Sequence, residues 1–245
     1  MKNGTHYAKR LKRTFGALKQ EYGVPEIPPP SDGVDQLLLA ILQHYTSDAK
    51  AVKALKQLRD EMVDINEARV TTVPELVAVF GDQVPHAAEA AGVIHRALNA
   101  VFYREHTVTL DMLQRTGRRE AKAYLDSLDG VDAYCVASVR LWSLGGHAIP
   151  MSAALFQALH RAELIDPSAT PDEAQAFLER NVPAAEAKVF CLLMPRLVVK
   201  GPPGGEPRTK PSRHASDGKG ARGGTKRGNT SGKRVSTKTK RSLSR

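Results

Sequence analysis

The run with the clearest chemical meaning is Leu128-Asp129-Gly130-Val131-Asp132, preceded by Leu125-Asp126-Ser127 and followed by the apolar segment Ala133–Trp142. One helix ends, the chain turns through Gly130 and a second helix begins, which is the shape of a helix-hairpin-helix motif. Consecutive backbone N–H groups at a helix N-terminus bind a DNA phosphate without reading base sequence. Gly130, Val131 and Asp132 are therefore candidate DNA contacts. Asp132 has a second reading, because a carboxylate at that position caps the following helix and would repel a phosphate beside it. The other reactive residue types show less order. His6, His44, His86, His95, His106, His147, His160 and His214 lack metal-ligand spacing with one another or with carboxylates, so no metal is expected. Ser143 and Ser152 lie near His147, but no Gly-x-Ser-x-Gly elbow surrounds them. Lys122 sits four residues before Asp126, the spacing of an ordinary surface ion pair. Trp142 lies on an apolar helix and reads as core. Cys135 and Cys191 are the two cysteines, and nothing in them resembles a disulfide scaffold.

Helices must position these residues. Tyr7–Tyr22 places Leu11, Phe15 and Leu18 at i, i+4 and i+7, with Lys9, Arg10, Lys12 and Arg13 around them, so it reads as a basic amphipathic helix. Gly23 and the proline-rich stretch Val24–Ser31 end it in extended chain. Gly33–His44 is too apolar for a surface helix and is expected to be central. Ser47–Glu61 repeats Ala51, Ala54, Leu55 and Leu58 at helical spacing, with Ser47 or Asp48 as cap. Further helices are expected at Thr72–Phe80, His86–Arg104, Leu110–Arg115, Arg118–Leu125, Asp132–Trp142, Ser152–Ala162, Thr170–Asn181 and Pro183–Val198. No alternating strand pattern occurs, so the fold class is all-α.

Charge divides the chain. The net charge of +10 conceals a middle segment, residues 31–199, with 16 Lys/Arg against 22 Asp/Glu, and a terminus, residues 200–245, with 14 against 2. That terminus is built from Gly, Ser, Thr, Pro and basic residues, with Val235 and Leu243 as its only large aliphatics. Such a segment cannot bury enough apolar surface to offset its ordering entropy, so a disordered tail is expected. Its paired cations, Lys226-Arg227, Lys233-Arg234 and Lys240-Arg241, are candidate DNA contacts that act by counterion release. Gly201-Pro-Pro-Gly-Gly205 reads as linker. No 18-residue apolar run and no secretory h-region are found. The expected setting is cytoplasmic and nucleoid-associated, as a monomer without membrane contact.

A second pattern joins the hairpin. Leu37-Leu-Leu-Ala-Ile-Leu42-Gln-His44-Tyr-Thr46-Ser47-Asp48 is preceded by Tyr22-Gly23-Val-Pro25 and Pro28-Pro-Pro, and Gly145-Gly-His-Ala-Ile149-Pro150 leads into another helix. In this order, over residues 7–198, the chain resembles the endonuclease III-like DNA glycosylases. The resemblance implies two helical lobes that grip DNA across a cleft, with a damaged base flipped into it. It assigns residues 1–30 to a basic helix and connection within the fold, 31–199 to the glycosylase-like body and 200–245 to the tail.

The same resemblance exposes what has changed. The lysine that forms a Schiff base with the sugar in bifunctional members falls on Tyr134, and a phenol cannot form an imine. The aspartate that stabilises developing positive charge falls on Ser152, which carries none. The glutamine that fills the void left by a flipped base falls on His44, the arginine after the catalytic loop falls on Gln157, and the second hairpin glycine falls on Asp132. The cysteines for an iron–sulfur cluster are missing. The expectation is a DNA-binding protein of glycosylase fold, without catalysis and without cofactor, contacting duplex DNA largely without sequence preference. Two alternatives stand beside it: an active glycosylase using another residue, and a histone-like chromosome-organising protein that binds DNA through its tail.

Overall fold

A computed structural model of the chain describes residues 4–201. The tail cations Lys226, Arg227, Lys233, Arg234, Lys240 and Arg241 lie outside the described residues. Every regular element among those residues is helical. In chain order they are α1 (Gly4–Tyr22), α2 (Gly33–Tyr45), α3 (Asp48–Glu61), α4 (Ile65–Val70), α5 (Val73–Phe80), α6 (Ala87–Glu105), α7 (Arg118–Asp126), α8 (Ala133–Trp142), α9 (Ala153–Arg161), α10 (Pro171–Asn181) and α11 (Ala187–Lys200).

Local chemistry sets where many of these helices start. Asp32 Oδ1 accepts the Val34 and Asp35 N–H groups at 2.9 and 3.0 Å and opens α2. Thr170 and Glu173 cap α10 reciprocally, with Pro171 at the first helical position. Each such cap satisfies donors that would otherwise be orphaned at a helix end. The expected boundaries hold to within a few residues, with three corrections. Residues 110–115 form a 3₁₀ turn, Asp111–Gln114, in place of an α-helix. The expected Pro183–Val198 helix divides into a 3₁₀ turn, Ala184–Glu186, and α11, which continues through Pro195 to Lys200. Helix α4, which the apolar periodicity does not predict, is set by Asp64, whose carboxylate accepts the Glu67 N–H at 2.8 Å.

The helices enclose two cores. One is formed by α2 to α8 around Leu37, Leu38, Ile41, Leu76, Phe80, Ile94 and Leu98. The other joins α1 to α9, α10 and α11 around Leu18, Leu159, Leu178 and Phe190. This is the two-lobed body that the resemblance implies. Helix α2 is central, with Leu37, Leu38, Ala40, Ile41 and Leu42 fully buried. The apolar stripe of α1 faces the second core, where the Phe15 ring meets Phe190 edge-on at 5.2 Å. Its basic face is partly spent on the body, since Arg10 pairs with Glu163 at 2.9 Å and Lys19 with Glu186 at 2.6 Å. Lys9, Lys12 and Arg13 remain exposed.

Helix α8 belongs to both cores. Cys135, Val136 and Val139 enter the first, while Ala137 and Leu141 enter the second. Half-buried Trp142 packs against the second core, with the Lys188 ammonium 5.8 Å from its ring centre. The side chains at the start of α8 are thereby fixed in direction by two packed faces.

Candidate nucleic-acid interface

The hairpin between α7 and α8 is held from behind by α6. Arg104 donates to the Ser127 carbonyl at 2.7 Å and to the Ser127 hydroxyl at 2.5 Å. Arg96 approaches Asp129 at 3.5 Å. Leu128 is buried, and its carbonyl accepts the Val131 N–H at 3.2 Å, which closes the turn. Gly130 takes φ +80°, and a Cβ there would come within 3.1 Å of Val93 Cγ1. The backbone angle favours glycine, and a Cβ would also need Val93 to give by a few tenths of an ångström. Gly130→Ala is expected to cost about 1–3 kcal/mol, measured as a lowered urea midpoint with an unchanged m-value. Lys122 pairs with Asp126 at 2.5 Å, the surface ion pair that their spacing predicts.

Asp132 uses both of its carboxylate oxygens within the protein. Its Oδ1 accepts the Cys135 N–H at 2.9 Å and caps α8. Its Oδ2 lies 3.1 Å from His44 Nε2. Burial opposes ionisation, but the hydrogen bonds from His44 and from the Cys135 N–H outweigh it and bring the carboxyl down to about 2. The carboxylate thus already occupies a helix N-terminal N–H of the kind that a phosphate would use.

Tyr134 reaches from α8 across to α2. Its hydroxyl donates to Gln43 Oε1 at 3.0 Å, and Gln43 in turn donates to Asp48 Oδ1 at 3.0 Å. The tyrosine ring meets the His44 ring edge-on at 5.0 Å. Burial, then the charge of Asp48, hold the phenol proton far above its ordinary pKa. The hydroxyl is therefore a neutral donor in a closed polar contact. Ser152 sits in extended conformation before α9, and its Oγ accepts the Leu155 N–H at 3.1 Å. It serves as a helix cap. His147 is committed elsewhere, with Nε2 2.9 Å from the Val182 carbonyl. Gln157 is exposed on α9.

The fold also assembles a group that spacing alone does not disclose. His44, Asp132 and Cys135 place one ligand atom each within 4.8 Å of the other two. Cys135 Sγ is 3.8 Å from His44 Nε2, although the two residues are 91 positions apart in the chain. A search for short-range metal spacing passes over such a set. The available signal was that His44 and Asp132 both fall on DNA-facing positions in the resemblance, which places them on one surface.

The fold matches solved structures closely in shape and weakly in sequence. A trapped endonuclease III–DNA covalent intermediate superposes with a TM-score of 0.63 at 15% identity, covering 76% of this chain and 84% of that one. A thermostable thymine-DNA glycosylase gives 0.61 at 15% identity, covering 80% and 88%. The Clostridium acetobutylicum 8-oxoguanine glycosylase/lyase bound to double-stranded DNA gives 0.61 at 13% identity, covering 79% and 69%. No protein-family profile matches the chain, and no curated protein matches it in sequence. The chain therefore has the endonuclease III-like fold, with its helix-hairpin-helix element at Arg118–Trp142.

Proposed function

We propose that this protein binds duplex DNA, with its basic terminus supplying most of the affinity and its glycosylase-fold body the preference for bent or damaged sites, and that it does not carry out Schiff-base strand cleavage. The observation that supports this most is the Tyr134 phenol, which stands at the lysine position of the resemblance and donates to Gln43 Oε1 at 3.0 Å. A phenol cannot condense with the C1′ aldehyde of an abasic sugar, and this one is kept protonated by burial. Ser152, at the aspartate position, spends its oxygen on the Leu155 N–H and offers no negative charge to an oxocarbenium-like sugar. The DNA-binding part of the reading rests on the fold, which this chain shares with proteins solved on DNA, and on the positively charged terminus. Two cysteines fall short of the four that an iron–sulfur cluster takes, and the reading needs none. We read the protein as a monomer working in the cytoplasm at the nucleoid.

The test uses the full chain and two labelled duplexes, one undamaged and one with an abasic site. Expected are tighter binding to the abasic duplex, intact strands after prolonged incubation, and no adduct on borohydride reduction. Strand cleavage that disappears with a single substitution in the cleft would overturn the reading in favour of an enzyme using another residue. A second reading, a chromosome-organising protein that holds DNA by its tail, is favoured by the excess of acidic residues over 31–199. Equal binding to both duplexes would support it.

A further inference from the structure

We propose that His44 Nε2, Asp132 Oδ2 and Cys135 Sγ form a three-ligand site for a borderline-soft divalent cation, zinc, with a fourth position open to solvent. The three atoms converge in a way that a hydrogen-bonded relay does not explain. In a relay from carboxylate through imidazole to thiol, the two partners sit on opposite ring nitrogens. Here Asp132 Oδ2 at 3.1 Å and Cys135 Sγ at 3.8 Å both face the same nitrogen, Nε2 of His44. Around a tetrahedral zinc, bond lengths of about 2.0–2.3 Å separate neighbouring donors by roughly 3.3–3.6 Å. The two measured separations straddle that range, and all three donors lie within 4.8 Å of one another.

The set is held by the two helices that form the centre of the first core. His44 stands in the last turn of α2, and Asp132 and Cys135 are the cap and the first turn of α8. The Cys135 N–H bonded to Asp132 Oδ1 orients the carboxylate and leaves Oδ2 for the ion, the kind of outer contact that tunes metal ligands. Cys135 is buried, whereas the His44 and Asp132 side chains keep 37% and 55% of their exposure. Protein therefore closes one side, and water or an anion takes the other. One sulfur, one imidazole nitrogen and one carboxylate oxygen suit zinc, and they do not suit magnesium or calcium, which take oxygen.

Binding releases the thiol proton to solvent and forms Zn–S, Zn–N and Zn–O bonds. One thiolate, one carboxylate and a neutral imidazole balance the dication, so the lone negative charge of Asp132 is cancelled. Resting on the DNA-binding reading, a phosphate oxygen takes the fourth position beside the hairpin.

The experiment titrates cobalt(II), as a zinc surrogate, into chelator-treated full-length protein without DNA. Expected is a thiolate-to-cobalt charge-transfer band with the visible bands of tetrahedral cobalt, saturating at one equivalent and discharged by zinc. Cys135→Ser should abolish the charge-transfer band, His44→Ala should weaken zinc binding at least tenfold, and Cys191→Ser should change neither. Circular dichroism confirms that each variant is folded. Absence of the band in the native chain overturns the site. So does a band that survives Cys135→Ser, or zinc affinity indifferent to His44→Ala. A second arm measures duplex binding with and without zinc. Zinc should tighten it several-fold in the native chain and not in His44→Ala. If the cobalt spectrum appears and this effect does not, the metal site stands and the phosphate role falls.

Discussion

A fragment ending at Gly201 is expected to bind undamaged duplex DNA at least two orders of magnitude more weakly than the full chain at moderate salt. The residues removed carry 13 Lys/Arg against 2 Asp/Glu, which leaves 23 basic and 24 acidic residues in the fragment. Each phosphate neutralised by a cation contributes close to one released counterion to the salt dependence. If only about four tail cations engage at a time, raising salt from about 50 to about 200 mM costs roughly a hundredfold in affinity. The fragment loses that contribution, and its remaining exposed cations on α1, Lys9, Lys12 and Arg13, face an acidic body. Anisotropy titrations of both forms at several salt concentrations measure affinity and slope together. Equal affinities and parallel slopes would assign DNA binding to the helical body alone.

The second large effect is a gain. Tyr134→Lys combined with Ser152→Asp is expected to yield a borohydride-trapped adduct with abasic duplex, where the native chain yields none. Aspartate caps helices as serine does, so α9 keeps its first-turn hydrogen bond and acquires a charge. Lysine at 134 loses the aromatic contact with His44 and the donation to Gln43, at a cost of about 2–4 kcal/mol in stability. Burial at this position disfavours the ammonium form and lowers its pKa, which supplies the free amine that attacks a C1′ aldehyde. Loss of water gives the imine, and borohydride reduces it to a stable amine. Absence of an adduct from a folded variant that still binds abasic DNA would show that the body presents the strand differently from the trapped endonuclease III complex.

Much of this architecture is legible in the residues themselves, for specific reasons. The run from Leu37 to Leu42, buried at every position except the half-buried Leu39, is apolar all round, which marks a central helix. Asp132 and Ser152 sit one residue ahead of helices and cap them, as their short polar side chains favour. Helix α4 was less visible because it is six residues long and buries only Ala68, too little to create a periodic stripe. Its trace lies in the Asp64–Glu67 cap, which is a local signal. The 3₁₀ turn at Asp111–Gln114 defeats a period of 3.6 for a similar reason. The site divides along the same line. That Tyr134 and Ser152 stand where chemistry was expected follows from motif order. That His44, Asp132 and Cys135 meet follows from the packing of α2 against α8, a contact between residues 91 apart that no short-range pattern encodes.

The double allegiance of α8 has a consequence for how this protein can drift. Between Cys135 and Leu141, every position except Arg140 is buried in one lobe or the other, so a change of volume there is felt by at least one lobe. Ala133, exposed at the first position of the helix, lies outside that constraint, whereas Tyr134 packs against the first lobe and donates to Gln43 on α2. Position 134, where the resemblance places the reactive lysine, is therefore tied to α2 by packing and by a hydrogen bond. A lineage that exchanges the group there must rebuild this contact with α2, while the rest of the helix stays fixed by the two cores.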